Sequence, residues 1–153
     1  LILDGITDPQ NLGSLIRTAL CFGVDGLVIP ENRAASVTPA VIKASAGAAL
    51  HLPIAMVVNI SRTIDKLKKE GFWIYGADAS SGENLHNLDY SNHAGLVMGS
   101  EGKGIRSLVR KKCDFLISIP ITDPIDSLNV SIAGGIILYE MNLNRNTLRK
   151  KER

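Results

Sequence analysis

Short apolar runs alternate with helix-like segments along the whole chain, and this alternation restricts the fold more than any other feature of the sequence. Six runs have the length and apolar content of buried strands: Leu1–Asp4, Gly26–Ile29, Ile54–Val58, Phe72–Ala77, Ala94–Met98 and Phe115–Ile119. Strands that alternate with helices indicate an α/β fold, in which helices flank a mostly parallel sheet. The 153 residues are enough for one such domain with a substantial core.

The first and last predicted helices carry the most information. The first begins at Asn11, a suitable N-cap residue, and ends near Phe22. The last covers Leu128–Leu143, is apolar on most sides, and has Gly134-Gly135 in its interior. Because an interior glycine costs roughly 0.8–1 kcal/mol relative to alanine, we expect close packing against a ligand or another backbone, in a second subunit or within the monomer. Residues 78–92 are polar and are predicted to form a surface loop.

Charge is distributed unevenly along the chain. The formal net charge is +2, but residues 144–153 alone carry five cationic side chains and one acidic one. Residues 103–112 hold five further cationic side chains and no acid. Such clusters suit a local anionic partner such as phosphate or RNA, but on charge alone a solvated helix face and a tail explain the pattern better. We predict a domain over residues 1–143 followed by a basic tail over 144–153.

Several classes of protein and site are excluded by the sequence. No apolar run reaches the roughly 18–20 residues of a membrane span. Cys21 and Cys113 lie in apolar segments and are predicted to be unpaired core thiols of a cytoplasmic protein. The three histidines have no ligand spacing with cysteines or carboxylates, so no metal site is predicted. The turn at 99–104 fits neither a phosphate-binding P-loop nor the glycine fingerprint of dinucleotide sites.

Three polar clusters remain, and each lies just after a predicted strand. They are Asn11–Arg17, Gly99–Gly104, and Ile119-Pro120 followed by Ser127–Ser131. Because ligands bind at the carboxyl ends of parallel strands, we expect the clusters to meet in one pocket, with Arg17 buried and Glu101 held among glycines. Taken singly, Asn11 could be only a helix cap, Asn129 only a loop hydrogen bonder, and the glycine turn only a tight connection.

The three clusters read N-x-G-x-x-x-R, V-M-G-S-E-G-x-G, and I-P followed by S-L-N-V-S. In this order they resemble the three motifs of the SpoU family of RNA 2′-O-ribose methyltransferases, a TrmH-like branch of the SPOUT class. The likeness covers nearly the whole chain. It is greatest to bacterial 23S rRNA guanosine-2′-O-methyltransferases, with transfer RNA enzymes as near relatives. The resemblance implies methyl transfer from S-adenosylmethionine to a ribose 2′-OH of RNA, specifically a guanosine of large-subunit rRNA.

The resemblance also implies an unusual topology and a partner subunit. The family has a deep trefoil knot, formed where residues from about Gly99 to Leu143 thread through an earlier loop, although knots are rare exceptions. Its members are homodimers through the last helix, which would account for Gly134-Gly135. Relatives often have an N-terminal RNA-binding domain, which we expect to be absent here because the chain begins inside a strand without an initiator Met.

Site residues are carried over from the family position by position. The knot binds S-adenosylmethionine largely through backbone groups, which here fall on Gly99, Ile119 and Leu128, with Met98, Gly104 and Pro120 beside them. The catalytic positions are Arg17, Asn11, Glu101, Ser127 and Asn129. Lys103, Arg106 and Arg110 are expected at the rim, where RNA phosphate would arrive. No metal is implied, since the cofactor supplies the leaving group.

Each catalytic position has an expected role. The family assigns activation of the hydroxyl to Arg17, but a guanidinium with a pKa above about 12 is a poor base. We therefore expect Arg17 to pair with substrate phosphate and to stabilise the developing alkoxide. Asn11 would hold Arg17 or the ribose, Glu101 would fix the loop, and Ser127 and Asn129 would complete the pocket.

One segment departs from the family pattern, and other functions stay open. Between Pro120 and Ser127, relatives often have small neutral residues, whereas this chain has Asp123 and Asp126, which would repel RNA phosphate. The alternatives are a transfer RNA methyltransferase and a non-catalytic RNA-binding module of the same fold. Intact catalytic positions argue against the module. A nucleotide-dependent oxidoreductase is disfavoured because its glycine fingerprint is missing.

Overall fold

The structure, a computed structural model, describes residues 1–80, 83–90, 93–122 and 124–151, with the backbone alone at Asn87 and 146–151. The strands in this described part of the chain are β1 Ile2–Asp4, β2 Leu27–Pro30, β3 Ile54–Val57, β4 Trp73–Ala77, β5 Ala94–Gly99 and β6 Phe115–Ile117. The α-helices within these residues are α1 Pro9–Cys21, α2 Pro39–Ala44, α3 Ile60–Lys69, α4 Ser107–Arg110 and α5 Val130–Lys151. All strand pairs among these residues are parallel, in the order β3-β2-β1-β5-β4-β6. The predicted α/β class and parallel sheet are confirmed.

The central strands β1 and β5 are buried on both faces of the sheet. Leu3 and Met98 pack in a large apolar cluster with α1 and α5, whereas Ile2 and Val97 pack on the opposite face with α3 and α4. Each fully buried aliphatic side chain contributes on the order of 1.5–3 kcal/mol. The register pairs Asp4 with Gly99, so the loops that follow β1 and β5 leave the sheet side by side.

Helix α1 begins earlier than the sequence predicted. Asp8 is its N-cap, since the Asp8 carboxylate accepts a hydrogen bond from the backbone N–H of Gln10 at 3.1 Å, and Pro9 occupies the first turn. The prediction that Asn11 is the cap is therefore wrong. Asn11 lies one turn further on and is buried, which leaves its side chain available for other contacts.

Helix α5 packs along α1 within the monomer. A Cβ at Gly134 would clash with Cδ2 of Leu15, and a Cβ at Gly135 would lie 3.6 Å from Cγ2 of Thr18. Gly134 thus allows close contact between two helices of one chain, which agrees with the expected packing within the monomer. The helix also continues through Lys151, so the basic segment extends it, while Glu152 and Arg153 lie outside the described residues.

Two smaller predictions are corrected by burial. Leu85 and Tyr90 are fully buried, and the Tyr90 hydroxyl donates to the Leu85 carbonyl at 2.7 Å, so this part of residues 78–92 is not a surface loop. Both cysteines are free, but Cys21 is exposed and only Cys113 is partly buried. Burial raises the pKa of the Cys113 thiol to about 11.

In the described part of the chain, no helix is long and apolar enough to cross a membrane.

Candidate functional site

The glycine-rich turn after β5 folds back on the strand that precedes it. Ser100 and Gly104 exchange backbone hydrogen bonds of 3.1 and 2.8 Å. Gly102 and Gly104 have φ angles of +74° and +64°, a region that favours glycine. A Cβ on Gly99 would overlap the backbone of Gly104 and Ile105. The turn is therefore a compact loop whose geometry requires its glycines.

A hydrogen-bond network joins the three sequence clusters. The Asn11 Nδ2 donates to Glu101 Oε1 at 2.7 Å. The Asn129 Nδ2 donates to the same Glu101 oxygen at 2.9 Å and to Asn11 Oδ1 at 3.1 Å. These side chains come from α1, from the turn after β5 and from the segment before α5. The convergence predicted from the carboxyl ends of the strands is confirmed for these three residues.

Asn129 has a second role at the start of α5. Its Oδ1 accepts hydrogen bonds from the backbone N–H groups of Ser131 at 2.9 Å and Ile132 at 3.4 Å, and from the Ser131 hydroxyl at 2.6 Å. This is the arrangement of a helix N-cap. Because the oxygen is used by the helix, the amide nitrogen is directed at Glu101 and Asn11. The helix cap therefore orients one member of the network.

We predict that Asn129→Asp keeps the cap but breaks the network. In the wild type, the amide groups of Asn11 and Asn129 donate hydrogen bonds to the Glu101 carboxylate. The variant would replace the Asn129 amide with a second carboxylate that repels Glu101. We therefore expect a loss of about 1 kcal/mol in the free energy of unfolding at pH 7. Two adjacent carboxylates take up a proton more readily than separate ones. The loss relative to wild type should therefore shrink as the pH falls towards about 4, which chemical denaturation at both pH values would measure.

Asn129→Ser is the matched control for that experiment. Serine is also a good N-cap but adds no charge, so its loss in stability should be smaller and should not depend on pH. Equal, pH-independent losses for the two variants would contradict the direct contact between residue 129 and Glu101.

A buried carboxylate that sequence reasoning missed anchors the far end of the turn. Asp4, at the end of β1, is fully buried. It accepts hydrogen bonds from the Arg106 backbone N–H at 2.8 Å and from Nε at 2.7 Å, with Nη2 at 2.5 Å. The available signal was an acid that directly follows a buried apolar strand. Arg106, predicted to lie at the rim where RNA phosphate would arrive, is paired with this carboxylate.

Arg110 is also paired. Its Nε lies 2.5 Å from Asp78 Oδ2, and Asp78 also accepts from the backbone N–H and hydroxyl of Ser80. Burial acts to raise the pKa of Asp78, but the hydrogen bonds from Ser80 and Arg110 outweigh it, so that the pKa lies below its usual value. Asp78 therefore stays ionised at neutral pH and the ion pair persists. Arg110 contributes to the wall of a pocket rather than to a free basic rim.

A pocket of about 770 Å³ opens at the carboxyl ends of the strands, beside this network. Most of the predicted cofactor positions line it: Met98, Gly99, Gly104, Ile119 and Leu128. Pro120 is exposed and does not. Glu101, Ser127 and Asn129 also line the pocket, and Asn11 reaches it through the network. Ile117 and Ile137 supply apolar walls.

Arg17 lies elsewhere. It is exposed on α1, does not line the pocket, and has no hydrogen bond or ion pair with another described residue. The prediction of a buried arginine is therefore wrong. Arg17 lies six positions after Asn11, which moves it about 9 Å along the helix axis and onto another side of α1.

The remaining predicted residues lie at the pocket rim. The Ser127 hydroxyl donates to the Asp126 carboxylate at 3.2 Å rather than to the network. Asp126 and Lys103 line the pocket, and Lys103 has no ion-pair partner in the part of the chain that is described. Asp123 lies outside the described residues. Within those residues, no group of three or more histidine, cysteine or acidic side chains could hold a metal.

Comparison with known proteins gives consistent matches. A family model described as the SpoU rRNA Methylase family matches residues 1–139. YacO of Bacillus subtilis, provisionally named a TrmH-family tRNA/rRNA methyltransferase, is 49% identical over 146 residues, which are 95% of this chain and 59% of YacO. The chain thus spans about three fifths of the length of this relative.

Two solved structures resemble the fold closely. The SpoU methyltransferase AviRb from Streptomyces viridochromogenes, crystallised in complex with AdoMet, superposes with a TM-score of 0.89 at 29% identity over 95% of this chain and 60% of AviRb. The TrmH/SpoU tRNA modifying enzyme of A. aeolicus superposes with a TM-score of 0.88 at 28% identity, over 99% of this chain and 77% of that enzyme.

Proposed function

Because this chain belongs to the SpoU methylase family, we propose that it transfers a methyl group from S-adenosylmethionine to a ribose 2′-OH of RNA. The observation that carries the proposal is the network of Asn11, Glu101 and Asn129 at the mouth of the pocket. It brings together all three motifs that the resemblance identified, at the edge of the sheet where α/β proteins bind ligands.

The residues present fit S-adenosylmethionine. A volume of about 770 Å³ falls within the range of about 300–1,000 Å³ for small-molecule pockets, and Gly99, Ile119 and Leu128 line it. The bound cofactor supplies an activated methyl group and its own leaving group. The apolar side chains of Leu128 and Ile137 would keep water from the reacting atoms. That AviRb was crystallised with AdoMet supports this assignment.

The polar residues would position the ribose and stabilise charge. Glu101, held by two amides, fixes the turn, and Ser127 and Asn129 offer hydrogen-bonding groups at the opening of the pocket. Arg17 would pair with substrate phosphate and stabilise the developing alkoxide, because an exposed guanidinium is free to meet RNA but is too weak a base to remove the proton.

The proposal extends to assembly and topology. The outer face of α5 exposes an apolar stripe of Ile132, Ile136, Tyr139 and Leu143 at helical spacing. We propose that this stripe forms a homodimer interface, which would also place the exposed side of α1 and Arg17 at its margin. The deep trefoil knot over residues 99–143, a cytoplasmic location, and an RNA-binding domain upstream in the whole protein are parts of the same proposal.

We propose a guanosine of large-subunit rRNA as the substrate of the whole protein, with transfer RNA as the second candidate. The family description supports the first. The second is favoured by the A. aeolicus neighbour, which is named as a tRNA modifying enzyme. Methylation assays on purified rRNA and tRNA with labelled cofactor, followed by mapping of the modified ribose, would decide between them.

Titration calorimetry with S-adenosylmethionine tests the reaction class. We expect saturable binding at one site per chain, and methyl incorporation into one of the two RNA classes. A folded protein that does not bind the cofactor would contradict the proposal and favour a non-catalytic RNA-binding module.

A further inference from the structure

Helices α3 and α4 lie side by side on the face of the sheet opposite α1 and α5. Ile60 and Ile64 of α3 share one buried cluster with Val109 of α4. Two ion pairs join α3 to the segment that directly follows α4: Lys68 Nζ lies 2.6 Å from Asp114 Oδ1, and Lys112 Nζ lies 2.7 Å from Asp65 Oδ1. Two basic segments that are about forty residues apart in sequence therefore form one surface.

This surface is strongly positive. Residues 60–70 and 103–114 together carry nine cationic and three acidic side chains, whereas the whole chain has a formal net charge of only +2. Two of the acids, Asp65 and Asp114, are used in these ion pairs. Five exposed cations of this surface have no ion-pair partner among the described residues: Arg62, Lys66, Lys69, Lys103 and Lys111. We name them the α3–α4 surface.

We propose that the α3–α4 surface binds the phosphate backbone of substrate RNA outside the nucleotide that is methylated. The inference rests on the proposed function, because it assigns the surface that would bind the RNA substrate of that reaction. Lys103 lines the pocket and belongs to the surface, so one RNA strand can enter the pocket and continue across α4 to α3. Lysine and arginine side chains without ion-pair partners are available to bind phosphate groups. Contacts with phosphates raise the affinity for RNA but do not distinguish one sequence from another.

The composition of the surface favours RNA over an anionic membrane. Leu108 is a strongly exposed apolar residue of α4, and no large apolar residue of α3 is similarly exposed. A membrane-binding helix instead pairs its cations with a continuous apolar face that enters the bilayer. In α3 the apolar positions, such as Ile60 and Ile64, are buried against the sheet.

The test is RNA binding by the 153-residue chain and its Lys69→Gln/Lys111→Gln variant. Fluorescence anisotropy with a labelled mixed-sequence RNA hairpin would be measured between about 50 and 200 mM salt. Loss of two phosphate contacts should reduce the slope of log affinity against log salt by about 1.5 and weaken Kd about fivefold or more at the upper salt concentration. Binding of S-adenosylmethionine should be unchanged, because neither lysine lines the pocket.

The matched control is Arg33→Asn/Lys43→Gln, which removes two exposed cations that belong to neither α3 nor α4. Asparagine tolerates the positive φ of 58° at position 33. We expect this control to bind RNA nearly as wild type does, with both variants melting at the wild-type temperature. The inference would be overturned if the lysine variant kept the wild-type slope of log affinity against log salt. It would also be overturned if the control lost as much RNA affinity as the lysine variant, or if the wild type did not bind RNA. Lysine-dependent binding to phosphatidylglycerol vesicles in place of RNA would overturn it as well. Failure of the proposed function would show separately, as no cofactor binding.

Discussion

Gly99→Ala is expected to abolish cofactor binding and to lower the free energy of unfolding by about 3 kcal/mol. The added methyl group would overlap the backbone of Gly104 and Ile105, which cannot move aside as a flexible side chain can. The turn would have to open, and the paired hydrogen bonds between Ser100 and Gly104 would break. Since the same turn carries Glu101 and one wall of the pocket, stability and binding should fall together.

Chemical denaturation and titration calorimetry with S-adenosylmethionine would measure the two effects. Gly95→Ala is the matched control, because Gly95 lies in the same strand but its added Cβ would come too close only to the flexible end of Ile74, at 2.9 Å. We expect a loss of about 1 kcal/mol for the control and unchanged cofactor affinity. A Gly99→Ala variant that binds the cofactor as tightly as the control would show that the turn does not form the cofactor site.

The class of fold was predictable because hydrophobic periodicity is a local property. Alternating strands and helices indicated a parallel sheet, and the carboxyl ends of parallel strands indicated where Asn11, Glu101 and Asn129 meet. The strand order was not predictable, since it depends on contacts between distant strands. The role of Gly134 was not predictable for the same reason, because its contact with Leu15 forms only when α5 packs against α1.

The errors at the site come from side-chain partners that sequence spacing does not reveal. The ion pairs of Arg106 and Arg110 were not predicted, because no acid lies near them in sequence and Asp4 and Asp78 reach them from the ends of other strands. Arg17 lies beside the apolar stripe of α1, which suggested burial. In the structure, Arg17 on that side of the helix is exposed to solvent.

Arg17→Ala is expected to reduce methyl transfer by about 10³-fold while leaving cofactor affinity and stability nearly unchanged. Removal of a single group that stabilises transition-state charge costs about 10²–10³-fold, and loss of phosphate pairing adds to this. Because Arg17 is exposed, does not line the pocket and has no hydrogen-bond or ion-pair partner among the described residues, its removal should change the free energy of unfolding by less than about 0.5 kcal/mol. A loss of activity therefore cannot be attributed to unfolding or to an empty cofactor pocket.

Two further variants separate the possible roles of this side chain. Lys43→Ala removes an exposed cation from α2 and controls for the change in net charge, so its activity should stay near that of wild type. Arg17→Lys keeps the charge but lacks the planar, two-pronged donor that matches phosphate. If Arg17 acts through paired hydrogen bonds, the lysine variant should remain severely impaired. If only the positive charge matters, it should recover most of the activity. Substantial methyl transfer by Arg17→Ala would instead remove Arg17 from the reaction and leave the network around Glu101 as the polar centre of the site.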